Sequence, residues 1–217
     1  MVRSASLPNI LPGANLQPVR PAFPPLVSPA GIAFPRGRIS EIIGNPSSGR
    51  TTLLFTALAT ATRDGEVCAI VDTGDMFDPV SASAAGVVLS KLLWIRCHND
   101  AEHAMRVTDL LLQANGFGAV AVDLGDTGVN LLRRIPLHYW YRFRRAVEPT
   151  RTAVIVVTPE PVVRQCATLA VEARRTAVTW SGTGDCSRLL DGADLHFEPR
   201  RPPDTAPGRV SAFCKRA

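Results

Sequence analysis

An α/β fold, with a mostly parallel sheet between helices and an antiparallel flank at its C-terminal end, is what these 217 residues predict. Three observations lead there. A glycine-containing loop, residues 44–52, joins an apolar strand-like run to an apolar helical one. Two later apolar runs, 67–71 and 119–122, each lead into a carboxylate, Asp72 and Asp123, with helical periodicity between them. Beyond residue 168, strand-like runs alternate with Gly/Pro turns and show no clear helix.

Each element follows from its local pattern. Residues 39–43 read as a strand entering the loop, and 51–63 as a helix with Leu53, Leu54, Ala57, Leu58 and Ala61 at helical spacing. Asp64-Gly65 ends that helix, and 67–71 form a second, buried strand. Asp78-Pro79 opens a helical stretch toward Ala85, and 92–95 are a third, shorter strand. Residues 101–114 are an amphipathic helix, and 119–123 a buried strand capped by a carboxylate. A helix from Pro136 to Ala146 precedes the strand 153–157, and 169–180, 195–198 and 210–213 supply the antiparallel flank.

Composition divides the chain into a proline-rich extended arm, 1–30, and a core domain, 31–217. Prolines 8, 12, 18, 21, 24, 25 and 29 exclude a regular helix or central strand from the arm. With 46% of its 217 residues hydrophobic, the chain is long enough for one sizeable core. No apolar run is long enough to cross a bilayer and no secretion signal opens the chain, so a cytoplasmic protein without a membrane partner is expected. Cys68, Cys97, Cys166, Cys186 and Cys214 are widely spaced and never paired as Cys-x-x-Cys, which argues for reduced thiols rather than disulfides or zinc ligands. A net charge of +5 permits contact with nucleic acid. Only Lys91 and Lys215 are lysines among the 24 basic residues.

Gly44-Asn45-Pro46-Ser47-Ser48-Gly49-Arg50-Thr51-Thr52 has the pattern of a phosphate-binding loop, where backbone N–H groups turn inward and the next helix adds its positive end. Arg50 stands where that chemistry uses lysine. A lysine places a compact charge between the outer phosphates, and arginine's wide planar fork does not fill the same space. Nucleotide binding therefore tolerates the exchange better than hydrolysis does. The partner carboxylate for magnesium is expected from Asp123, at a strand end, with Thr51 supplying the hydroxyl.

Residues 37–52 resemble the opening of the RecA recombinase core, and the likeness continues through 65–79, with Asp72 and Phe77-Asp78-Pro79, and through 119–123. The resemblance implies a RecA-like P-loop core with ATP and magnesium as cofactors. It also exposes departures. RecA carries a water-polarising glutamate two residues after the first strand-end aspartate, and here that position is Gly74, with Asp75 next door as a weak substitute. The strand that ends in a sensor glutamine in RecA ends here in Thr158-Pro159. The segments between Asp123 and Ala153, and from Pro159 to Ala167, are short for RecA's DNA-binding loops. The pattern is most similar to the RecA-like accessory proteins of bacterial inducible mutagenesis cassettes, the ImuA group. That similarity implies a modulatory role in the DNA-damage response, with RecA and an inactive polymerase-like protein as partners. The competing reading is a DNA-dependent ATPase of recombinase type.

Other motifs have plainer explanations. The stretch 137–145 mixes aromatics with arginines, as single-stranded DNA binders do, but helical spacing sets Leu137, Trp140, Phe143 and Val147 toward the sheet and Arg142 and Arg145 toward water. His98 and His103 lack a third metal ligand, and Asn99 or Asp100 reads as a helix cap. Ser47 and Ser48 line the loop, since no His/Asp pair is placed to activate them.

Overall fold

The computed structural model describes residues 23–182, 189–203 and 205–213. Most of the proline-rich arm lies outside the described residues, as do Cys186, Cys214, Lys215 and Arg216. The first described elements are β1 (Leu26–Val27) and β2 (Ala33–Phe34), an antiparallel pair with Leu26 opposite Phe34. The compositional boundary at residue 30 falls inside this hairpin. Leu26 and Phe34 carry it into the core, at 2% and 0% exposure.

There follow β3 (Arg38–Ile43), α1 (Arg50–Arg63), β4 (Cys68–Asp72), α2 (Pro79–Ala84), β5 (Leu92–Arg96), α3 (Ala101–Ala114) and β6 (Ala119–Asp123). The chain continues through α4 (Val129–Leu132), α5 (Leu137–Val147), β7 (Ala153–Thr158), β8 (Ala167–Ser181), β9 (Leu189–Arg201) and β10 (Gly208–Phe213). All twelve strand and helix positions expected from the sequence fall where they should; the short α4 and the β1–β2 hairpin carry too little pattern to announce themselves. One eight-stranded sheet results, in the order β10-β9-β8-β3-β7-β6-β4-β5. From β8 to β5 all neighbours run parallel, while β8, β9 and β10 pair antiparallel.

Period-two alternation builds two cores from the central strands. Cys68, Ile70, Ala121, Ile155 and Val157 face α1 and the β1–β2 hairpin, while Ala69, Val71, Val120, Val122, Val154 and Val156 face α3 and α5. Helix α1 seats Leu53, Leu54, Ala57, Leu58 and Ala61 on the first face. On the second, α5 buries Trp140, Phe143 and Val147, as helical spacing requires. Leu137 departs from the expectation: at 41% exposure it sits in the first turn, before the helix has closed on the sheet. Arg142 leaves the helix to pair with Asp109 of α3. Asp100 caps α3 by accepting from His103 N–H at 2.9 Å, and Asp78 caps α2 by accepting from Val80 and Ser81 N–H. Cys68, Cys97 and Cys166 are buried and free, with burial pushing the Cys68 thiol up to about 12.

Because the six parallel strands point one way, the loops after β3, β4, β6 and β7 gather at one sheet edge, where α/β folds collect ligands. One buried carboxylate organises that edge. Glu41 on β3 is 1% exposed, and its Oε1 accepts from Val162 N–H at 2.7 Å, Val163 N–H at 3.1 Å and the Thr158 hydroxyl at 3.2 Å. Burial raises its carboxyl above the usual range, against the lowering by these three donors. It thereby fixes the turn leaving β7. Glu41→Ala strands these donors and should cost about 2–4 kcal/mol in urea unfolding at neutral pH, whereas Glu41→Gln, which keeps the acceptor, should cost clearly less. Equal losses for the two would show that the hydrogen bonds do not carry the effect.

Candidate functional site at the phosphate loop

The loop between β3 and α1 is built as its sequence asks. Ser47 adopts φ 63° and Gly49 φ 92°, left-handed conformations that bend the chain back into the helix. Ser48 N–H donates to the Asn45 carbonyl at 3.1 Å, and its side chain folds across Gly44, where a Cβ would collide with the Ser48 hydroxyl. Leu195 of β9 packs under Gly49, its methyl carbons 2.6 and 2.8 Å from where a Cβ would stand.

Arg50, the first residue of α1, decides what the loop can hold. Its Nη1 donates to the Gly44 carbonyl at 2.8 Å, and its Nη2 donates to Asp126 Oδ1 at 2.9 Å. The fork thus bridges the two ends of the loop and then reaches the segment after β6. Gly125 makes the crossing feasible: a Cβ there would lie 2.8 Å from the guanidinium carbon. The side chains of Arg50 and Asp126 are 7% and 44% exposed. Three hydroxyls around this edge, Ser48, Thr73 and Thr127, are buried without a hydrogen-bond partner.

Asp123 ends β6 one strand away from β7, itself beside β3, and the charge of Arg50 acts on it. Burial lifts its carboxyl to about 6, although Gly125 N–H donates to Oδ1 at 2.9 Å and Arg50 opposes the rise. Thr51 is exposed and Thr52 half-buried. Asp72, by contrast, is structural: its carboxylate accepts from Met76 N–H, Phe77 N–H and the Trp94 indole at 3.1, 2.9 and 3.0 Å, pinning the Asp-Pro segment.

The sequence-derived residues therefore separate. Gly44, Asn45, Pro46, Ser47, Ser48, Gly49, Arg50, Thr51 and Thr52 form the loop, with Asp123 within electrostatic reach. Gly74 faces the same site, since a Cβ there would stand 3.5 Å from Asp126 Cβ. Asp75 turns away at φ 56°, its carboxylate taken by the His98 ring at 2.6 Å and by Arg96 at 3.3 Å. Those partners end or follow β5, which three strands separate from β3. Asp126 and Gly125 escaped the sequence reading; the only signal was a second carboxylate three residues past Asp123.

As it stands, the loop does not fit a magnesium nucleoside triphosphate. The cation meant for the outer phosphates is already bonded to a carbonyl and a carboxylate, and Ser48 lies over Gly44.

The fold is a mixed α/β core with a mostly parallel sheet, consistent with a RecA-like core, and the loop between β3 and α1 has the sequence pattern of a phosphate-binding loop. The family model of the RecA N-terminal domain matches residues 27–129, from the β1–β2 hairpin through the loop and Asp123, and supports a RecA-like family for this chain. No helix among the described residues is long and apolar enough to cross a membrane.

The raised Asp123 carboxyl has a measurable consequence. Its protonated form is favoured by the fold, so its contribution to stability is fully present at acid pH and is lost as pH rises from about 4 through about 6. Asp123→Asn removes the charge and keeps the acceptor for Gly125 N–H. The variant should be more stable than the parent by about 1–3 kcal/mol at pH 8, with the difference closing near pH 4, in paired denaturant titrations.

Proposed function

We propose that this chain is a RecA-like DNA-repair protein that retains a phosphate-loop scaffold without efficient hydrolysis. Its role is that of a regulator or interaction partner in the SOS response and translesion mutagenesis, as in the ImuA group. The observation that carries the reading is Arg50, whose guanidinium is held by Gly44 and Asp126 rather than left available to a phosphate. The position of the water-polarising base supports it, being Gly74, while Asp75 is engaged by His98 and Arg96. The match to the RecA N-terminal domain supports DNA repair as the setting. On this reading RecA and an inactive polymerase-like protein are the partners in the cytoplasm, and single-stranded DNA is a further ligand.

Turnover of labelled ATP with and without single-stranded DNA tests the non-hydrolytic part. The parent should stay at background, and joint replacement Arg50→Lys with Gly74→Glu should raise the rate about tenfold or more, since a positioned base alone contributes about 10²–10⁴. RecA-like turnover by the parent, abolished by Arg50→Ala, would establish the recombinase-type ATPase instead. Affinity purification from cells after DNA damage tests the partners. Recovery of neither RecA nor a polymerase-like protein would remove the regulatory reading.

A further inference from the structure

We propose that Asp126 is a built-in stand-in for a nucleotide phosphate: its carboxylate neutralises the loop cation from within the chain and holds the loop folded with no nucleotide bound. The inference rests on the non-hydrolytic reading above and adds the regulation of that site.

Carboxylate and phosphate present the same feature to a guanidinium, anionic oxygens at hydrogen-bond distance, and both suit its planar fork. Arg50 needs such a partner, because its side chain is only 7% exposed and a buried cation left uncompensated is strongly destabilising. In an open loop of this kind the ligand supplies that compensation. Here Asp126 supplies it at 2.9 Å, while the second nitrogen of the fork ties Gly44 at 2.8 Å. One bond clamps the start of α1 to the end of β3 and the other ties it to the segment after β6, a closure that a bound phosphate chain would otherwise impose.

One glycine makes the arrangement possible and a second borders it. Gly125 leaves the space through which the fork passes, since a Cβ there would meet Cζ, Nε and Nη2 at 2.8 Å. Gly74 borders Asp126, since a Cβ there would lie in van der Waals contact with it, 3.5 Å from Asp126 Cβ. A glutamate at 74 would set a second carboxylate beside Asp126 and compete with it for the guanidinium. The two departures from the RecA pattern, Arg50 and Gly74, thus belong to one device. Asp123 is engaged elsewhere, its Oδ1 accepting from Gly125 N–H at 2.9 Å.

A nucleotide entering the loop has to displace Asp126, whose 44% exposure lets it swing outward. Thermal unfolding of the full chain, with and without millimolar ATP and magnesium, ADP or pyrophosphate, reads this directly. The parent should melt at the same temperature in every buffer. Asp126→Ala, which removes the anion, and Gly125→Ala, which expels the fork while keeping Asp126, should each melt roughly 3–6 °C lower, given about 2–4 °C per kcal/mol at this size. Both should recover most of that loss on adding pyrophosphate or magnesium ATP, by preferential binding to the folded state. A parent that is stabilised by nucleotide as much as the variants are would overturn the proposal, as would variants that melt like the parent or stay unresponsive to every anion. Nucleotide binding by the parent without turnover would refute the stand-in and leave the non-hydrolytic reading intact. Turnover by the parent would refute both.

Discussion

The guanidinium of Arg50 is the constraint on which the site depends. A planar cation almost wholly withdrawn from water must be met by acceptors in its plane, and three chain segments converge to provide them or make room. Gly44 arrives at the end of β3, Asp126 follows β6, and Gly125 leaves the gap between. The sheet order makes this convergence inevitable, because β7 alone stands between β3 and β6 and all three run parallel. Their C-terminal ends therefore share one edge. The buried Glu41 locks that edge from the β7 side, so the loop and its neighbours are fixed by hydrogen bonds to charged groups on both flanks.

Whether such a loop is eroded or rebuilt can be argued from the fit of its parts. Independent decay of a nucleotide site would leave a bulky arginine without a partner and a missing base without consequence. Instead the arginine is bonded at both terminal nitrogens, the residue beneath it is the one that has no Cβ, and the empty position 74 borders its carboxylate partner. Mutual accommodation of this kind is what local consistency of sequence with structure looks like. The unpaired hydroxyls of Ser48, Thr73 and Thr127 mark where the accommodation stops, on the polar lining that surrounds the loop.

Much of this was legible in the chain before any coordinates. Unbroken apolar runs such as 119–122 and 153–157 are long enough to be buried on both faces, which only a covered parallel sheet permits, and the loop motif fixes the order strand, loop, helix. The loop residues and Asp123 followed from the same pattern. What escaped did so for physical reasons. The β1–β2 hairpin is two residues per strand amid prolines, too short for a period to emerge. Asp126 is 76 residues from Arg50, and nothing local ties an exposed aspartate to a distant arginine. Asp75 looked available because sequence gives adjacency but not direction, and its left-handed backbone turns it to His98. Glu41 read as one polar residue in a strand, and only the return of residues 162 and 163 against it gives it a task.

The antiparallel flank completes the case for a loop set by its own protein. In β9, Leu195 and Phe197 are buried in the same core as α1, and Leu195 presses on Gly49, the residue whose left-handed turn starts that helix. The loop is thus braced from beneath by an apolar side chain and clamped from above by an ion pair. Neither contact contains a ligand, and each constrains the φ/ψ choices that a phosphate would otherwise select. A loop held in this way has little left to gain from nucleotide: a ligand shifts a conformational equilibrium only by the difference in its affinity for the two states, and here the folded state is already favoured.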